Sequence, residues 1–561
     1  MSMDVTRRDL LALMGTAGTL SLSGSGDAQT PAASAPGAAS AVERNDAAVR
    51  TLLETQLTDP ASPSRGCVPD QFGLHSAGSA SGVAETLAAS FVHPPSAFHH
   101  DRVLLDRIRL AAGFLERAQS PQGNIDLLTT NFNSPPDTGF VVHNVATAAA
   151  IARLHGAEEI ARTLQPFLVR AGAGMAEGGV HTPNHRWVIG SALAQINELF
   201  PDPRLVHRID EWLAEGIDID RDGQFTERST LTYNVVTDRA LLVMAAKLKR
   251  PELLEPVRQN LLALLYLLHA DGEVVTEIWR RQDQYTRGNT NGYWFPLTYL
   301  AVVDRDGQFA ALARQAEGGA RLSTLLEYHE LSQPLPAEAP LPADFERSLP
   351  DIGLARIRRG PLSATLVLGG SSRFFALRYG DAVIEGVRFA AAFFGKGQFV
   401  PDNAQQRGST YVLKQALEAP YYQPLAQKVT SENWAATRAE RRHSEVCRLE
   451  QSAEISEAPT GFRIRIRAEG TTGVPVAVEI GLRDGGSLQG VRGVKASPGT
   501  WVLPGGTGAV YRAGSNQIRF GPGAAAHEYV QVRGAEPPLQ GERVYITGYT
   551  PFDRTLGFEC T

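Results

Sequence analysis

QPLPAEAPLPADFERSLP, residues 333–350, divides the chain into two parts with different sequence patterns. Up to about residue 330, apolar residues recur three and four positions apart, as they do on the buried face of an α-helix. After residue 350, β-branched and alternating runs are separated by turns that contain Gly, as in antiparallel sheets. This Pro-rich stretch therefore predicts a boundary between an α-helical domain and a β domain.

The first part predicts a long series of helices joined by short loops rich in Pro, Gly and Asp. Short loops make successive helices antiparallel neighbours. A series of roughly ten such helices either stacks into a solenoid or closes into a ring, and we expect the ring by analogy with sugar-active proteins. The helical segments are predicted at 101–119, 140–155, 158–171, 184–199, 203–215, 229–248, 251–269 and 307–328.

With the ring taken by that analogy, the predicted fold class is α+β and multidomain, with an incomplete N-terminal α/α toroid followed by a C-terminal antiparallel β-sandwich. The strand-like runs are LSATLVLGG, RFFALRYG, GFRIRIRAEG, VPVAVEIGL, GTWVLPGG and RVYITGYT. We place the toroid at 42–335, a Pro-rich linker at 336–349 and the β-sandwich at 350–561.

The first 41 residues predict export. Arg7 and Arg8 precede a moderately apolar stretch and a run of small residues, which is typical of a twin-arginine signal peptide at 1–28 followed by a flexible linker at 29–41. The alternative is an amphipathic start that happens to hold two arginines. No later run approaches the ~20 apolar residues of a spanning helix, so we expect a periplasmic or secreted protein without a membrane span.

Composition and charge narrow the class of protein. The chain has 561 residues, 43% hydrophobic and 20% charged, which indicates a globular protein of two or three domains. Its net charge of −6 argues against a nucleic-acid partner. Cys67, Cys447 and Cys560 are too few for a disulfide framework, and at most one bridge is possible.

Four polar clusters lie where predicted loops meet predicted helices. Helix N-termini expose unpaired N–H groups and a partial positive charge, so junctions that also carry Asn, His, Arg and Tyr suit an anionic ligand. The clusters are Asn131, Asn133 and Asp137; Asn184, His185, Arg186 and Trp187; Glu227, Arg228, Tyr233 and Asn234; and Glu277, Arg280, Arg281, Gln282, Asp283, Tyr285, Asn289, Asn291 and Trp294.

Each cluster also has a purely structural interpretation. Asn and Asp cap helices, Glu and Arg pair on solvated faces, and tryptophans such as Trp187, Trp279 and Trp294 pack in cores. In a helical ring, however, alternate junctions share one face, so the four clusters can converge on a single cleft. The residues predicted to bind substrate there are Asn131, Asp137, Arg186, Trp187, Glu227, Arg281 and Trp294.

The order of the motifs resembles that of a known enzyme family. Asn184-His185 early in a helix, then a DG turn and an E-R-S-x-x-x-Y run ending at Tyr233, is similar to the heparinase II/III-like and alginate-lyase-like polysaccharide lyases. The resemblance implies an α/α toroid joined to an antiparallel β domain, and catalysis by Asn184, His185 and Tyr233. The β part lacks the His-x-His-x-Asp-like motif that family members often carry; residues 373–386 lie where it would be expected.

The residue types suit β-elimination of a uronate glycoside. Removing the proton at C5 requires that the neighbouring carboxylate be neutralised, which an amide, an imidazole and a guanidinium can do. That assigns Asn184, His185 and either Arg186 or Arg281 to the carboxylate, and Tyr233 to proton transfer. A free phenol has a pKa of about 10, so Tyr233 needs a nearby cation, for which Arg228, Arg280 and Arg281 are candidates.

Two other functions remain open. A glycoside hydrolase on the same ring would need two carboxyl groups, which Asp137, Glu227, Glu277 and Asp283 can supply. A non-catalytic carbohydrate-binding protein would use the same cleft. The sequence has neither a Gly-x-Ser-x-Gly elbow nor a His-Glu-x-x-His motif. It requires no cofactor, and a structural divalent metal stays possible although no metal-ligand motif is found. The expected partner is an acidic polysaccharide or oligosaccharide; the oligomeric state is left open.

Overall fold

The computed structural model describes residues 36–277, 281–494 and 497–561. Its contacts divide the chain into two compact units: residues up to Leu268 with Gly272–Leu341 form the first, and Pro342–Thr561 with the short segment His269–Asp271 form the second. The first unit is mainly helical and the second mainly β-sheet.

The described part of the helical unit contains α1 (Ala38–Thr55), α2 (Ala77–Val92), α3 (Arg102–Ala118), α4 (Pro135–Leu154), α5 (Glu158–Glu177), α6 (Pro183–Leu199), α7 (Pro203–Ala214), α8 (Tyr233–Leu248), α9 (Leu254–Leu264), α10 (Trp294–Val303), α11 (Gly307–Gln315) and α12 (Leu322–Glu327). A short hairpin of β1 (Ile125–Leu127) and β2 (Asn131–Ser134) precedes α4.

These helices form two layers. In one layer α2 contacts α4, α4 contacts α6, α6 contacts α8 and α8 contacts α10. Each intervening helix packs against the preceding helix of that layer; these intervening helices are α3, α5, α7, α9 and α11. Helix α4 is buried around most of its circumference, whereas α7 buries only Leu205 and Ile209. This difference is the one expected between an inner and an outer layer.

Two glycines allow the inner helices α4, α6 and α8 to approach closely. A Cβ atom at Gly139 of α4 would lie 2.9 Å from Cγ1 of Val188 in α6. A Cβ atom at Gly190 of α6 would lie 2.8 Å from Sδ of Met244 in α8. Because these contacts fix the spacing of the three helices, they also fix the spacing of the three N-termini.

The β unit contains β3 (Asp344–Leu349), β4 (Leu354–Arg359), β5 (Leu362–Val367), β6 (Phe375–Tyr379), β7 (Ala382–Ala391), β8 (Gly397–Gln398), β9 (Asn403–Arg407), β10 (Thr410–Tyr422), the one-turn helix α13 (Trp434–Thr437), β11 (His443–Ala458), β12 (Gly461–Gly470), β13 (Pro475–Leu482), β14 (Ser487–Gln489), β15 (Arg492–Gly493), β16 (Thr500–Val502), β17 (Ala509–Ala513), β18 (Asn516–Gly521), β19 (Glu542–Tyr549) and β20 (Phe552–Cys560).

The strands form two sheets with a common core. One sheet has the order β14-β17-β18-β20-β12-β11-β10-β9, and the other β15-β16-β19-β13-β7-β6-β5-β4-β3 with β8 paired to β7. Phe375 of the second sheet contacts Phe462 and Phe558 of the first, with ring centroids 5.2 and 5.8 Å apart. Each of the six predicted strand-like runs overlaps a strand. The pairing is antiparallel as expected, except that β16 runs parallel to β19.

Several predicted boundaries are corrected. The predicted signal peptide at 1–28 lies outside the described residues, but helix α1 begins at Ala38, inside the predicted linker 29–41. The second predicted linker, 336–349, ends in β3, because DFERSL pairs along its whole length with β4. The predicted helix at 307–328 is two helices, α11 and α12, separated by a turn at Glu317–Gly319.

Candidate functional site

The N-terminus of α6 carries the first group of predicted site residues. Thr182 stands at the N-cap and Pro183 opens the helix, as their residue types favour. The Thr182 hydroxyl donates to Oδ1 of Asn184 at 2.7 Å instead of capping a backbone N–H. Nδ2 of Asn184 is buried and has no hydrogen-bond partner among the described residues. Thr182 therefore holds the amide by its oxygen and leaves Nδ2 unpaired.

His185 is buried and neutral. It is 8% exposed, and its ring lies edge-on to that of His181, with centroids 4.7 Å apart. Burial lowers the pKa of His185 to about 4, and the electrostatic interaction with Arg281 acts in the same direction. Its Nδ1 has no hydrogen-bond partner within the described part of the chain. Two adjacent residues, Asn184 and His185, thus each keep an unsatisfied polar nitrogen, which is costly unless a ligand binds there.

Arg186 and Trp187, which were predicted to bind substrate, have structural partners. Arg186 pairs with Glu215 at 2.9 Å and with Asp218 at 2.8 Å. Trp187 is 1% exposed, and its Nε1 donates to Asp218 at 3.0 Å. The buried indole offers no surface to a sugar ring and the guanidinium is already neutralised, so both residues are reassigned to packing.

Tyr233 opens α8 and lies against two donors. Nε2 of Gln282 donates to its Oη at 2.6 Å, and Nη2 of Arg281 donates at 3.2 Å. The guanidinium carbon of Arg281 stands 4.6 Å from the centroid of the phenol ring. The half-buried phenol oxygen thus accepts from an amide and a cation, which together stabilise negative charge on it.

Glu227 connects the start of α6 to Arg281. Its side chain is 4% exposed, and Oε1 accepts from the backbone N–H of Asn184 at 3.3 Å. Oε2 lies 3.5 Å from Nε of Arg281. Burial raises the pKa of Glu227, although Arg281 and the N–H of Asn184 oppose that rise. Glu227 was predicted to bind substrate; its two carboxylate oxygens instead face the N–H of Asn184 and the guanidinium of Arg281.

Asp283 holds the turn before Tyr233. Its Oδ2 accepts from the Ser229 hydroxyl at 2.9 Å and from the Leu231 N–H at 3.1 Å. The Ser229 oxygen in turn accepts from the backbone N–H of Tyr233 at 3.1 Å. This bonding occupies 229–232, so the helix predicted from residue 229 begins at Tyr233 instead. Burial raises the pKa of the Asp283 carboxyl, which the Ser229 hydrogen bond partly offsets.

A pocket adjoins His181 and the β1–β2 hairpin. Its volume is about 380 Å³, and its lining includes Asn131, Phe132, Asn133 and His181. Phe132 is 68% exposed, which is unusual for a large apolar side chain. His181, which lines this pocket, also contacts the ring of His185, with centroids 4.7 Å apart.

Asn131 and Asp137 support this pocket. Nδ2 of Asn131 donates to Oδ2 of Asp137 at 2.9 Å, and the Ser134 hydroxyl donates to the same oxygen at 2.5 Å. Asp137 lies in the first turn of α4 instead of in the predicted loop before it. Asn131 lines the pocket, whereas Asp137 fixes the position of Asn131.

The fourth cluster is only partly in this site. Arg281, Gln282 and Asp283 belong to it, and residues 278–280, with the predicted candidates Trp279 and Arg280, lie outside the described residues. Trp294 is 1% exposed and donates through Nε1 to the backbone oxygen of Pro36 at 3.0 Å. Its indole is a core residue at the start of α10, so the predicted sugar contact at Trp294 is corrected.

Three residues with a place in the site were not predicted to act there. Gln282 appeared only as one member of a polar cluster, and His181 and Phe132 were not singled out. A sequence signal for Phe132 existed, since an aromatic residue between Asn131 and Asn133 in a polar turn has no neighbouring apolar pattern that would bury it.

The described residues lack two further features. Within 36–277, 281–494 and 497–561, no group of three or more His, Cys, Asp or Glu side chains is placed to hold a metal ion. No helix in these ranges is both long enough and apolar enough to cross a bilayer.

Comparison with known proteins gives the fold. No protein-family model and no curated protein matches the chain. Among solved structures, a Streptomyces coelicolor A3 chondroitin AC lyase in complex with chondroitin sulphate is similar with a TM-score of 0.56 and 14% identity, over 93% of this chain and 79% of that one. This chain has a polysaccharide-lyase-like fold.

Two further structures agree. A heparan sulfate lyase mutant from Pedobacter heparinus matches with a TM-score of 0.51 and 11% identity, over 93% of this chain and 88% of that one. A Paenibacillus xanthan lyase matches with a TM-score of 0.53 and 10% identity, over 93% of this chain and 56% of that one. The resemblance inferred from the Asn184-His185 and Tyr233 motifs is therefore confirmed at the level of the fold.

Proposed function

We propose that this protein is an exported polysaccharide lyase that cleaves a uronic-acid-containing polysaccharide by β-elimination. In this proposal the helical unit is an incomplete α/α toroid, and the two sheets of the second unit form a β-sandwich. The observation that carries the proposal is the contact of the Tyr233 phenol oxygen with Arg281 and Gln282. Arg281 is linked through Glu227 to the backbone of Asn184, at the start of the helix where Asn184 and His185 keep unpaired nitrogens.

Asn184 and His185 bind the uronate carboxylate. The free N–H of the Asn184 amide donates to it, and a neutral imidazole donates through whichever ring nitrogen carries the hydrogen. Because these donors are buried, their hydrogen bonds are stronger than they would be in water. They oppose the build-up of negative charge as the C5 proton leaves, which is the difficult step of the reaction.

Tyr233 transfers the proton. As the phenolate held by Arg281 and Gln282, Oη takes the C5 proton, and the C4–O bond breaks as the C4–C5 double bond forms. The same phenol then donates that proton to the departing glycosidic oxygen, which leaves as a hydroxyl. The step is balanced without an added water or cofactor, and the phenolate is regenerated.

A glycoside hydrolase is the alternative, and the carboxyl groups favour it less. Asp137 accepts from Asn131 and Ser134, Asp283 from Ser229 and Leu231, and Glu227 pairs with Arg281. A hydrolase needs one carboxyl as acid and a second as base or nucleophile. Each of these three instead has a local structural partner, so the lyase accounts for more of the arrangement.

The experiment that tests this function is incubation with a panel of uronate polysaccharides, read for ultraviolet absorbance and for reducing ends. Elimination creates one unsaturated, absorbing end for every new reducing end. Reducing ends without absorbance mean hydrolysis and reject the proposal. Export is tested separately, by N-terminal sequencing of periplasmic protein: we expect a start near Gln29, and an intact Met1 found only in cytoplasm contradicts export.

A further inference from the structure

The connection between β10 and β11, residues 423–442, has features that the proposed reaction does not use. It leaves the sheet after Tyr422 and returns at His443. Its two ends are joined where the N–H of Gln423 donates to the Arg442 carbonyl at 2.8 Å, and where Nε2 of Gln423 donates to Ser444 Oγ at 2.8 Å. The connection is thus a structured projection of the sheet edge.

This projection exposes more than half of a tryptophan side chain. Trp434 is 55% exposed, whereas Trp187 and Trp294 are each 1% exposed. The guanidinium of Arg441 lies 4.3 Å from the Trp434 ring, and that of Arg438 lies 4.7 Å from the Tyr422 ring. Rings stacked on guanidinium groups are held in fixed orientations, and the large exposed fraction of Trp434 leaves apolar surface in contact with water.

The same projection carries positive charge without ion pairs. Lys428, Arg438, Arg441 and Arg442 have no carboxylate within 4.0 Å among the described residues. Elsewhere in this unit arginines are commonly paired, as Arg465 is with Asp553. Of the two carboxylates in 423–442, Glu440 accepts from Gln427 and neither neutralises these cations.

We propose that Trp434, Tyr422 and the cations of 423–442 form a second carbohydrate-binding surface, which takes an acidic polysaccharide chain. The apolar face of a pyranose ring packs on an exposed aromatic ring, and guanidinium groups pair with carboxylate or sulfate groups along the chain. In naming an acidic polysaccharide, the proposal rests on the proposed function. It differs in that these residues belong to the β unit and take no part in proton transfer.

Charge complementarity favours this occupant. The chain as a whole carries a net charge of −6, which repels an anionic polymer, so the cations of 423–442 are the groups that attract one. An anionic lipid surface is the competing partner of similar charge. The helix that carries Trp434 is only four residues long, Trp434–Thr437. It cannot present the extended apolar face with which amphipathic helices enter a bilayer, so the polymer is the better fit.

Two variants separate the ring from the charges. Trp434→Ala removes the exposed ring, and Lys428→Gln/Arg438→Gln/Arg442→Gln removes three cations. Both keep Arg441, whose Nη1 donates to the Gln423 carbonyl at 3.2 Å and stabilises the projection. The matched control is Phe72→Ala/Arg162→Ala, which removes a ring that is 48% exposed and an exposed cation from the helical unit.

The measurement is affinity electrophoresis in gels that contain a uronate polysaccharide, with circular dichroism to verify the fold. We expect each variant to raise Kd for the polymer by about 10-fold, which corresponds to about 1.4 kcal/mol of binding free energy. The triple variant should also show a weaker dependence on salt. The control, and the kinetics of every variant on a short oligosaccharide, should match the wild type.

Folded variants that retain wild-type affinity for the polymer would contradict the proposed carbohydrate-binding surface. A wild-type protein that binds anionic vesicles through Trp434 but binds no polysaccharide would contradict it as well. Failure of the proposed function has a different signature: if the wild type binds the polymer without cleaving it, and the variants lose that binding, the surface stands and the lyase does not.

Discussion

Nη2 of Arg281 lies 3.2 Å from Oη of Tyr233, and its guanidinium carbon stands 4.6 Å from the centroid of the phenol ring. A phenol that transfers a proton near neutral pH needs a cation beside it, and Arg228, Arg280 and Arg281 were the candidates in the sequence. Arg281 makes the contact. Because Nε of the same guanidinium lies 3.5 Å from Glu227, one side chain links the proton-transfer group to the residues that begin α6.

Replacing Arg281 should reduce turnover without unfolding the protein. Arg281→Gln removes the cation that stabilises the phenolate, and we expect kcat to fall by about 10²- to 10³-fold, the range for one charge-stabilising donor. The kcat of Arg281→Lys should lie between those of the wild type and Arg281→Gln, because one ammonium group cannot contact both Tyr233 and Glu227 as the branched guanidinium does. Steady-state kinetics measures this. The matched control is Arg258→Gln, which breaks an ion pair with Asp304 in the same unit and should leave kcat unchanged.

Asn184→Ala and His185→Ala each remove a donor to the uronate carboxylate. Since that group is bound in the ground state and gains charge in the transition state, kcat should fall and affinity for substrate should weaken as well. We expect a loss of about 10²-fold in kcat/KM for each. Asn197→Ala, farther along the same helix, is the control. Unchanged kcat/KM in both site variants would mean that the carboxylate binds elsewhere.

Amide substitutions of the buried carboxyls distinguish a lyase from a hydrolase. Asp283→Asn keeps an acceptor for Ser229 and should reduce activity by less than about 10-fold, and Glu227→Gln by somewhat more, because Arg281 loses its partner. Loss of nearly all activity in either folded variant favours a hydrolase. Glu215→Gln, which removes a carboxylate paired with Arg186 at 2.9 Å, is the control.

The buried imidazole of His185 makes stability depend on pH. Its pKa is about 4 in the folded chain against 6.5 when free, so the unfolded chain binds a proton first as pH falls. The stabilising contribution of neutral His185 is complete above about pH 6.5 and is lost between there and pH 4, at up to about 1.4 kcal/mol per pH unit.

Urea unfolding at pH 7.0 and 4.5 measures this effect. The wild type should lose more stability over that interval than His185→Gln, which has no titrating ring. His143, whose pKa burial lowers to about 3, is present in both proteins and cancels in the comparison. Equal losses in the two proteins would show that His185 is not buried in its neutral form.

The sequence predicted the parts of this site that depend on local order. Asn184 and His185 lie at a helix start because Pro183 and the apolar run after it mark that start in sequence. The burial of Trp187 and Trp294 could not be predicted, since an indole in an apolar helix has the same pattern whether it faces the core or a cleft. The start of α8 at Tyr233 depends on Asp283, 54 residues from Ser229, and such a tertiary bond has no local signal.

The most direct test of the account is turnover of Tyr233→Phe on a uronate polysaccharide, compared with the wild type and with Tyr549→Phe, which removes an exposed phenol in the β unit. A water molecule cannot take the place of the lost hydroxyl between Arg281 and Gln282 in the same geometry. We therefore predict that kcat falls by roughly 10²- to 10⁴-fold in Tyr233→Phe, with substrate affinity retained, and stays at the wild-type value in Tyr549→Phe. A folded Tyr233→Phe protein with near-wild-type turnover would contradict the account, because the proton would then be carried by another residue.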